Sequence, residues 1–273
     1  MMRSIQYLKL GGSLITDKAR SSTARPEVLA RLASEISRAY THIPDLKLIL
    51  GHGSGSFGHA AARKYGTRQG VRTEEEWRGF AEVWYEASHL NRLVIEALRE
   101  VGLAAVSFPA SGTVLAKDGE ICLWDLAAIE MSLEAGLLPV VYGDVVFDDV
   151  LGGTILSTED IFSYLAKTFY PERILLAGIE AGVWADYPAR TKLVREITPH
   201  NIADFIGRLS GSAGMDVTGG MVSKVGEMVA LVEEISNLEV YIFSGERKGA
   251  VFQALRGVPE GTRISRVEKD KET

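Results

Sequence analysis

An α/β fold, an open αβα sandwich with a mostly parallel central sheet, follows from three observations. Six short apolar segments recur along the chain, and each is closed by a glycine or proline turn. Helical periodicity fills most of the gaps between them, as expected when parallel strands are joined by crossover helices. Glycine is in surplus, with 28 among 273 residues, and many glycines stand at the ends of apolar runs rather than in a linker.

The predicted strands are Ile5–Leu10, Leu46–Leu50, Ala104–Phe108, Leu138–Tyr142, Arg173–Ala177 and Val240–Phe243. They are short, rich in β-branched or aromatic residues, and read as buried. A first helix begins at Pro26, where Val28, Leu29, Leu32 and Ile36 keep a spacing of three to four. The longest helix is Glu74–Glu100, with Phe80, Val83, Trp84, Ala87, Leu90, Val94 and Leu98 on one side. Shorter helices follow over Trp124–Ala135, Thr158–Thr168, Pro199–Leu209 and Met221–Ile235. Two β-rich pairs interrupt this alternation and predict a small flap on the main sheet. One is Thr113–Ile121, around the turn Lys117-Asp118-Gly119-Glu120, and the other pairs Val145–Gly153 with Thr154–Leu156. No Pro/Ser-rich linker divides the chain.

Composition narrows the function. The chain is 46% hydrophobic and 24% charged, ordinary for a globular protein. A net charge of −6 argues against a dedicated nucleic-acid binder, yet a local positive patch can still hold a small phosphorylated ligand. The lone Cys122 excludes an intrachain disulfide and a cysteine metal cage. The first residues do not form a signal-peptide pattern, and no segment approaches the roughly 18 apolar residues of a membrane span. The expectation is a cytoplasmic protein without a membrane or nucleic-acid partner.

Open parallel sheets place ligands at the carboxyl ends of their strands, and three loops there carry chemistry. Lys9-Leu10-Gly11-Gly12-Ser13 combines a cation with glycines whose N–H groups can approach an anion. Its bland alternative is a tight turn with a solvent-facing lysine. Gly51-His52-Gly53-Ser54-Gly55-Ser56-Phe57-Gly58-His59 is denser, and a phosphate cradle would justify its entropic cost. In it His52 reads as structural and His59 as ligand-facing, against a capping or surface alternative for His59. The segment has neither a Walker A nor a G-x-G-x-x-G register. In Thr218-Gly219-Gly220-Met221-Val222-Ser223-Lys224 the glycines precede a helical run whose first N–H groups can hold an anion, with Lys224 one turn inside and Asp216 just before. Among carboxylates, Asp144 follows Gly143 at a strand end. Glu159 and Asp160 begin a helix capped by Ser157 or Thr158; helix-end electrostatics explains Glu159, whereas Asp160 or Asp144 could orient lysines or a Mg²⁺ shell. No complete metal site is assigned.

These loops, in this order, resemble the amino acid kinase superfamily, and within it the isopentenyl phosphate kinases of archaeal type. The resemblance covers nearly all of residues 2–267 and includes Lys18, Gly143-Asp144, Ser157–Asp160 and Ala177–Asp186. It implies an acceptor lobe over 1–170 and a nucleotide lobe over 171–273 within one continuous fold, and a homodimer. It implies transfer of the γ-phosphoryl group of MgATP to isopentenyl phosphate. Carried over by motif, Lys9, Lys18, His59, Asp160 and Lys224 would be catalytic, with Asp160 organising the lysines. Gly11, Gly12, Gly53, Ser54, Gly55, Gly58, His59 and Gly143 would line the acceptor site, with Phe80, Val83 and Trp84 as candidates for its apolar tail. Gly178, Val183, Trp184, Asp186, Gly219 and Gly220 would lie with Lys9, Lys18 and Lys224 near the nucleotide. A fosfomycin kinase, another small phosphate or phosphonate kinase, and a non-catalytic nucleotide sensor on the same fold are the alternatives.

Overall fold

The computed structural model describes residues 5–209 and 217–266. The chain runs through β1 (Ile5–Leu10), α1 (Gly12–Ile15), α2 (Pro26–His42), β2 (Lys47–His52), α3 (His59–Tyr65), α4 (Glu74–Glu100), β3 (Ala105–Ser107), β4 (Val114–Lys117), β5 (Glu120–Trp124), α5 (Ala127–Glu134), β6 (Leu138–Tyr142), β7 (Asp144–Asp148) and β8 (Gly152–Leu156). It continues through α6 (Thr158–Phe169), β9 (Arg173–Gly178), β10 (Val183–Trp184), β11 (Leu193–Val194), β12 (Glu196–Ile197), α7 (Ile202–Leu209), α8 (Val217–Glu234), β13 (Glu239–Ser244), α9 (Ala250–Leu255) and β14 (Thr262–Ser265).

Eight strands form the main sheet in the order β12-β14-β13-β9-β1-β2-β6-β3. The six segments predicted from sequence are its parallel members; β14, which the pattern did not single out, runs antiparallel to β13. Alternation along β1 explains the two-sided core. Tyr7 joins the cluster with Ile49, Val141, Phe162 and Val240, while Leu8 and Leu10 join the opposite cluster with Leu32, Leu50 and Phe252. Lys9 therefore projects to the same side as Tyr7, toward α6. Because β1 pairs with β2 on one edge and β9 on the other, the sheet runs unbroken across residue 170.

The flap is a second sheet in the order β5-β4-β7-β8. Asp148 fastens it: the carboxylate accepts the N–H groups of Gly119, Val150 and Leu151, each at 2.8 Å, and of Asp118 at 3.1 Å. Trp124 ends β5 rather than opening the next helix. Helix α4 begins with a capping box, in which Glu76 N–H donates to Thr73 Oγ1 and Thr73 N–H to Glu76 Oε2. Its buried face holds Phe80, Val83, Ala87, Leu90, Val94 and Leu98, and also the polar Asn91. Trp84, placed on that face by periodicity, is 45% exposed. Helix α8 starts at Val217, so Gly219 and Gly220 lie inside it instead of preceding it. Asp216 lies outside the described residues. No described helix is long and apolar enough to cross a membrane.

Candidate active site

Lys9 is the penultimate residue of β1, level with Gly51 on one side and Leu176 on the other, at the carboxyl end of the sheet. Its ammonium is buried and donates to Glu159 Oε2 at the start of α6. The other oxygen of Glu159 stands 3.3 Å from Nζ of Lys224, on α8. Three charges from three elements thus meet at one point. Burial alone would raise the Glu159 carboxyl, but Lys9 and then Lys224 override it and hold the pKa down at about 2. Burial lowers the Lys9 pKa; Glu159 opposes that shift and the nearby Lys224 charge adds to it. The solvent-facing alternative for Lys9 does not hold.

Asp160, expected to organise the lysines, does something else. As the third residue of α6 it turns back and accepts the Ser157 N–H at 2.7 Å, while its own N–H donates to Ser157 Oγ at 3.0 Å. The Arg68 guanidinium stands 3.7 Å away, and Glu227 on α8 is close enough to feel its charge. The carboxylate touching both lysines is Glu159, one position earlier on the helix. A Ser-x-x-Asp capping box was legible in the sequence; reading it as such leaves Glu159 for the lysines.

The two N-terminal glycine loops pack backbone against backbone. A Cβ on Gly12 would stand 2.2 Å from Gly55 N, and one on Gly55, which has φ +55°, would stand 2.1 Å from Thr16 Oγ1. A Cβ on Gly53 would meet Gly12 N at 3.0 Å and Lys9 Cε at 3.8 Å. Gly11 N–H donates to Ala177 O at 2.7 Å, and Gly53 N–H to Leu10 O at 3.0 Å. These two N–H groups seat the loops on the sheet. Gly143 N–H donates to His52 O at 3.3 Å, tying the β6 end to the same place.

The remaining candidates stand on other turns, strands and helices. His59 is the exposed first residue of α3, behind the left-handed Gly58. Lys18 is exposed on a cleft of about 510 Å³ also lined by Ser13, Thr16, Arg25 and Ile179. Phe80 and Val83 are buried with Val71 and Val145, and Phe80 packs on Trp77 and Phe147. Trp84 faces outward, so the three tail candidates do not share one surface. Gly178 ends β9 in open space, and Ser54 belongs to the loop whose Phe57 N–H donates to Ser54 O at 2.9 Å. The Val183 side chain belongs to the main core. Trp184 Nε1 donates to Glu180 at 2.9 Å. Asp186 accepts from the Thr191 hydroxyl and from the N–H groups of Thr191 and Lys192; these bonds hold its pKa low and make it the pin of its own turn.

Asp144, the other candidate for orienting lysines or a Mg²⁺ shell, accepts backbone N–H groups. Asp144 is fully buried, and burial pushes its carboxyl up to about 6 despite bonds from the Ser111 and Val145 N–H groups. Among the described residues no group of three or more His, Cys, Asp or Glu side chains is placed to hold a metal ion.

An open sheet with cations and backbone loops gathered at its strand ends is an arrangement suited to handling anionic groups. Residues 6–244 match the model of the amino acid kinase family, and the chain belongs to that family. It is 35% identical over 269 residues to the isopentenyl phosphate kinase of Methanocaldococcus jannaschii, spanning 95% of this chain and 98% of that one. The enzyme of the same name from Methanothermobacter thermautotrophicus is 35% identical over 266 residues, spanning 94% and 98%. A crystal structure of an isopentenyl phosphate kinase superposes with a TM-score of 0.80 at 33% identity, covering 96% of this chain and all of that one.

Proposed function

We propose that this chain transfers the γ-phosphoryl group of ATP to isopentenyl phosphate, giving isopentenyl diphosphate and ADP. The observation that carries the chemistry is the Lys9–Glu159–Lys224 cluster beside the paired glycine loops. Similarity along nearly the whole chain to kinases of that name supports the acceptor.

An oxygen of the acceptor phosphate attacks the γ-phosphorus, and the bond to the bridging oxygen of ADP breaks. The attacking oxygen is already anionic, so no general base is assigned. The barrier lies in bringing two anions together, which fixed cations lower electrostatically. Lys9 and Lys224 take the charge on the transferring group, and Glu159, paired with both, holds them in place. The backbone around Gly12, Ser54 and Gly55 cradles the acceptor phosphate, with His59 donating to it. Lys18 reaches the ATP phosphates from its cleft, and the nucleotide lies toward Gly178 and Trp184. Mg²⁺ enters on the ATP phosphates, with no protein ligand assigned. A homodimer is part of the same reading.

A coupled ADP-release assay over several acceptors tests the proposal. Turnover should be greatest with isopentenyl phosphate. Turnover with fosfomycin, carbamate, acetylglutamate or UMP and none with isopentenyl phosphate would overturn it; ATP binding without transfer to any acceptor would favour a nucleotide sensor. In the same assay, His59→Ala should raise the acceptor KM about tenfold or more, the scale of a lost charge-assisted hydrogen bond, and leave the ATP KM unchanged.

A further inference from the structure

Helix α4 carries a polar residue where its periodicity asks for an apolar one. Asn91 is 7% exposed, between Leu90 and Val94 on the buried face. Its amide reaches His52, the last residue of β2, which is 1% exposed. The His52 ring stacks on Tyr142, with centroids 5.2 Å apart and planes 7° from parallel. Nδ1 lies 3.2 Å from the Gly53 carbonyl oxygen and Nε2 lies 3.2 Å from the Asn91 amide. The far side of that amide is 2.7 Å from Ser107 Oγ, at the end of β3.

Proton bookkeeping along this chain has one solution for a neutral ring. A backbone carbonyl only accepts, so Nδ1 must carry the hydrogen. Nε2 is then a lone pair, and Asn91 must offer it an N–H. Its oxygen consequently faces Ser107, whose hydroxyl donates. As placed, Asn91 turns Oδ1 to His52 and Nδ2 to Ser107; the two atoms exchange by a half-turn of the amide, and the hydrogen-bond network decides between them. Burial keeps the ring neutral, lowering its pKa to about 4, and the nearby Lys9 charge adds to this. The other groups packed on His52 are Tyr142 from β6 and Thr158 from α6, whose hydroxyl donates to His52 O at 2.7 Å.

We propose that His52 is a positioning residue of the acceptor loop, with its Nδ1–H holding the Gly53 carbonyl and with Asn91 and Ser107 fixing that tautomer from behind the site. Gly53 faces Gly12 and Lys9, so the ring sets the loop edge nearest the buried lysine. The catalytic consequence rests on the reading that this loop receives the acceptor phosphate; the tautomer does not.

Nitrogen-15 NMR of the imidazole in the full chain tests the first part. A protonated Nδ1 and unprotonated Nε2 are expected; the reverse tautomer overturns the proposal whatever the enzyme's substrate. Asn91→Asp tests the second part, because a carboxylate cannot donate and instead draws a proton onto Nε2. The ring should then titrate at higher pH than in the parent, and the acceptor KM should rise about tenfold, with the ATP KM and kcat changed less than threefold. Asn91→Gln, which keeps the donor, should recover part of the loss. An acceptor KM unchanged in Asn91→Asp would remove the positioning role, even with the tautomer as expected.

Discussion

The floor of the site and its rim are built on different terms. On the floor, Lys9, Glu159 and Lys224 are placed by β1, α6 and α8, and each charge is held by the others. On the rim, Lys18 and His59 stand exposed on a turn and at the start of a short helix. Electrostatic catalysis benefits most from charges that need no reorganisation at the moment of reaction. Groups that grip and release substrates can sit in water. On the proposed function, phosphoryl-transfer chemistry falls to the floor and substrate capture to the rim.

The sharpest way to break that contrast is to compare neighbouring acids. Glu159→Gln leaves two ammonium groups facing one another, one of them buried. We expect kcat to fall about 10²- to 10³-fold, the scale of losing a preorganised electrostatic group. Asp160→Asn should leave kcat within a few-fold and cost about 1 kcal/mol of stability through its cap. Steady-state kinetics with denaturant melts of both variants decide the matter; equal losses of kcat would return Asp160 to the catalytic set.

That pair also marks what the sequence could tell. The parallel strands and α4 were legible because hydrophobic period, glycine punctuation and a strong cap agree over each segment. Lys9 was legible as a cation beside a glycine turn, and Lys224 as a cation a few residues after a glycine pair that the structure places inside α8. Glu159 was not, because neighbouring acids in a first helical turn look alike until the Ser157 cap claims the third position. Helices α3 and α9, of seven and six residues, are too short to show periodicity. The contact of Gly12 with Gly55 joins positions 43 residues apart, so the sequence showed two glycine turns without showing that each shapes the other.

A second test sets Asp144 against Glu159, two buried acids that differ in having cations beside them. Burial raises Asp144 from 3.8 to about 6, so the native state binds its proton more tightly than the unfolded chain. Stability should therefore fall as pH rises across that interval and level off above it, by roughly 3 kcal/mol at about 1.4 kcal/mol per pK unit. Glu159 is lowered from 4.5 to about 2, so its contribution is present above 4.5 and lost as pH falls toward 2. Denaturant melts across pH should show the decline between 3.8 and about 6 disappear in Asp144→Asn. They should show the acid limb weaken in Glu159→Gln. A decline that persists in Asp144→Asn would assign it to another group.

Two glycines carry the same comparison at the scale of one methyl group. On the floor, a Cβ at Gly12 would stand 2.2 Å from Gly55 N and 2.5 Å from Gly55 Cα, both backbone atoms that no rotamer change can clear. At the β9 end, a Cβ on Gly178 would meet nothing within 4 Å. Gly12→Ala should cost about 2 kcal/mol by forcing the two loops apart. Because Gly53 and Lys9 are drawn into the same contact, it should also raise the acceptor KM. Gly178→Ala should change stability by less than about 0.5 kcal/mol. Should Gly12→Ala melt with the parent protein, the loops would be able to separate at little cost. The floor would then have to be organised by the bound phosphates rather than built in advance.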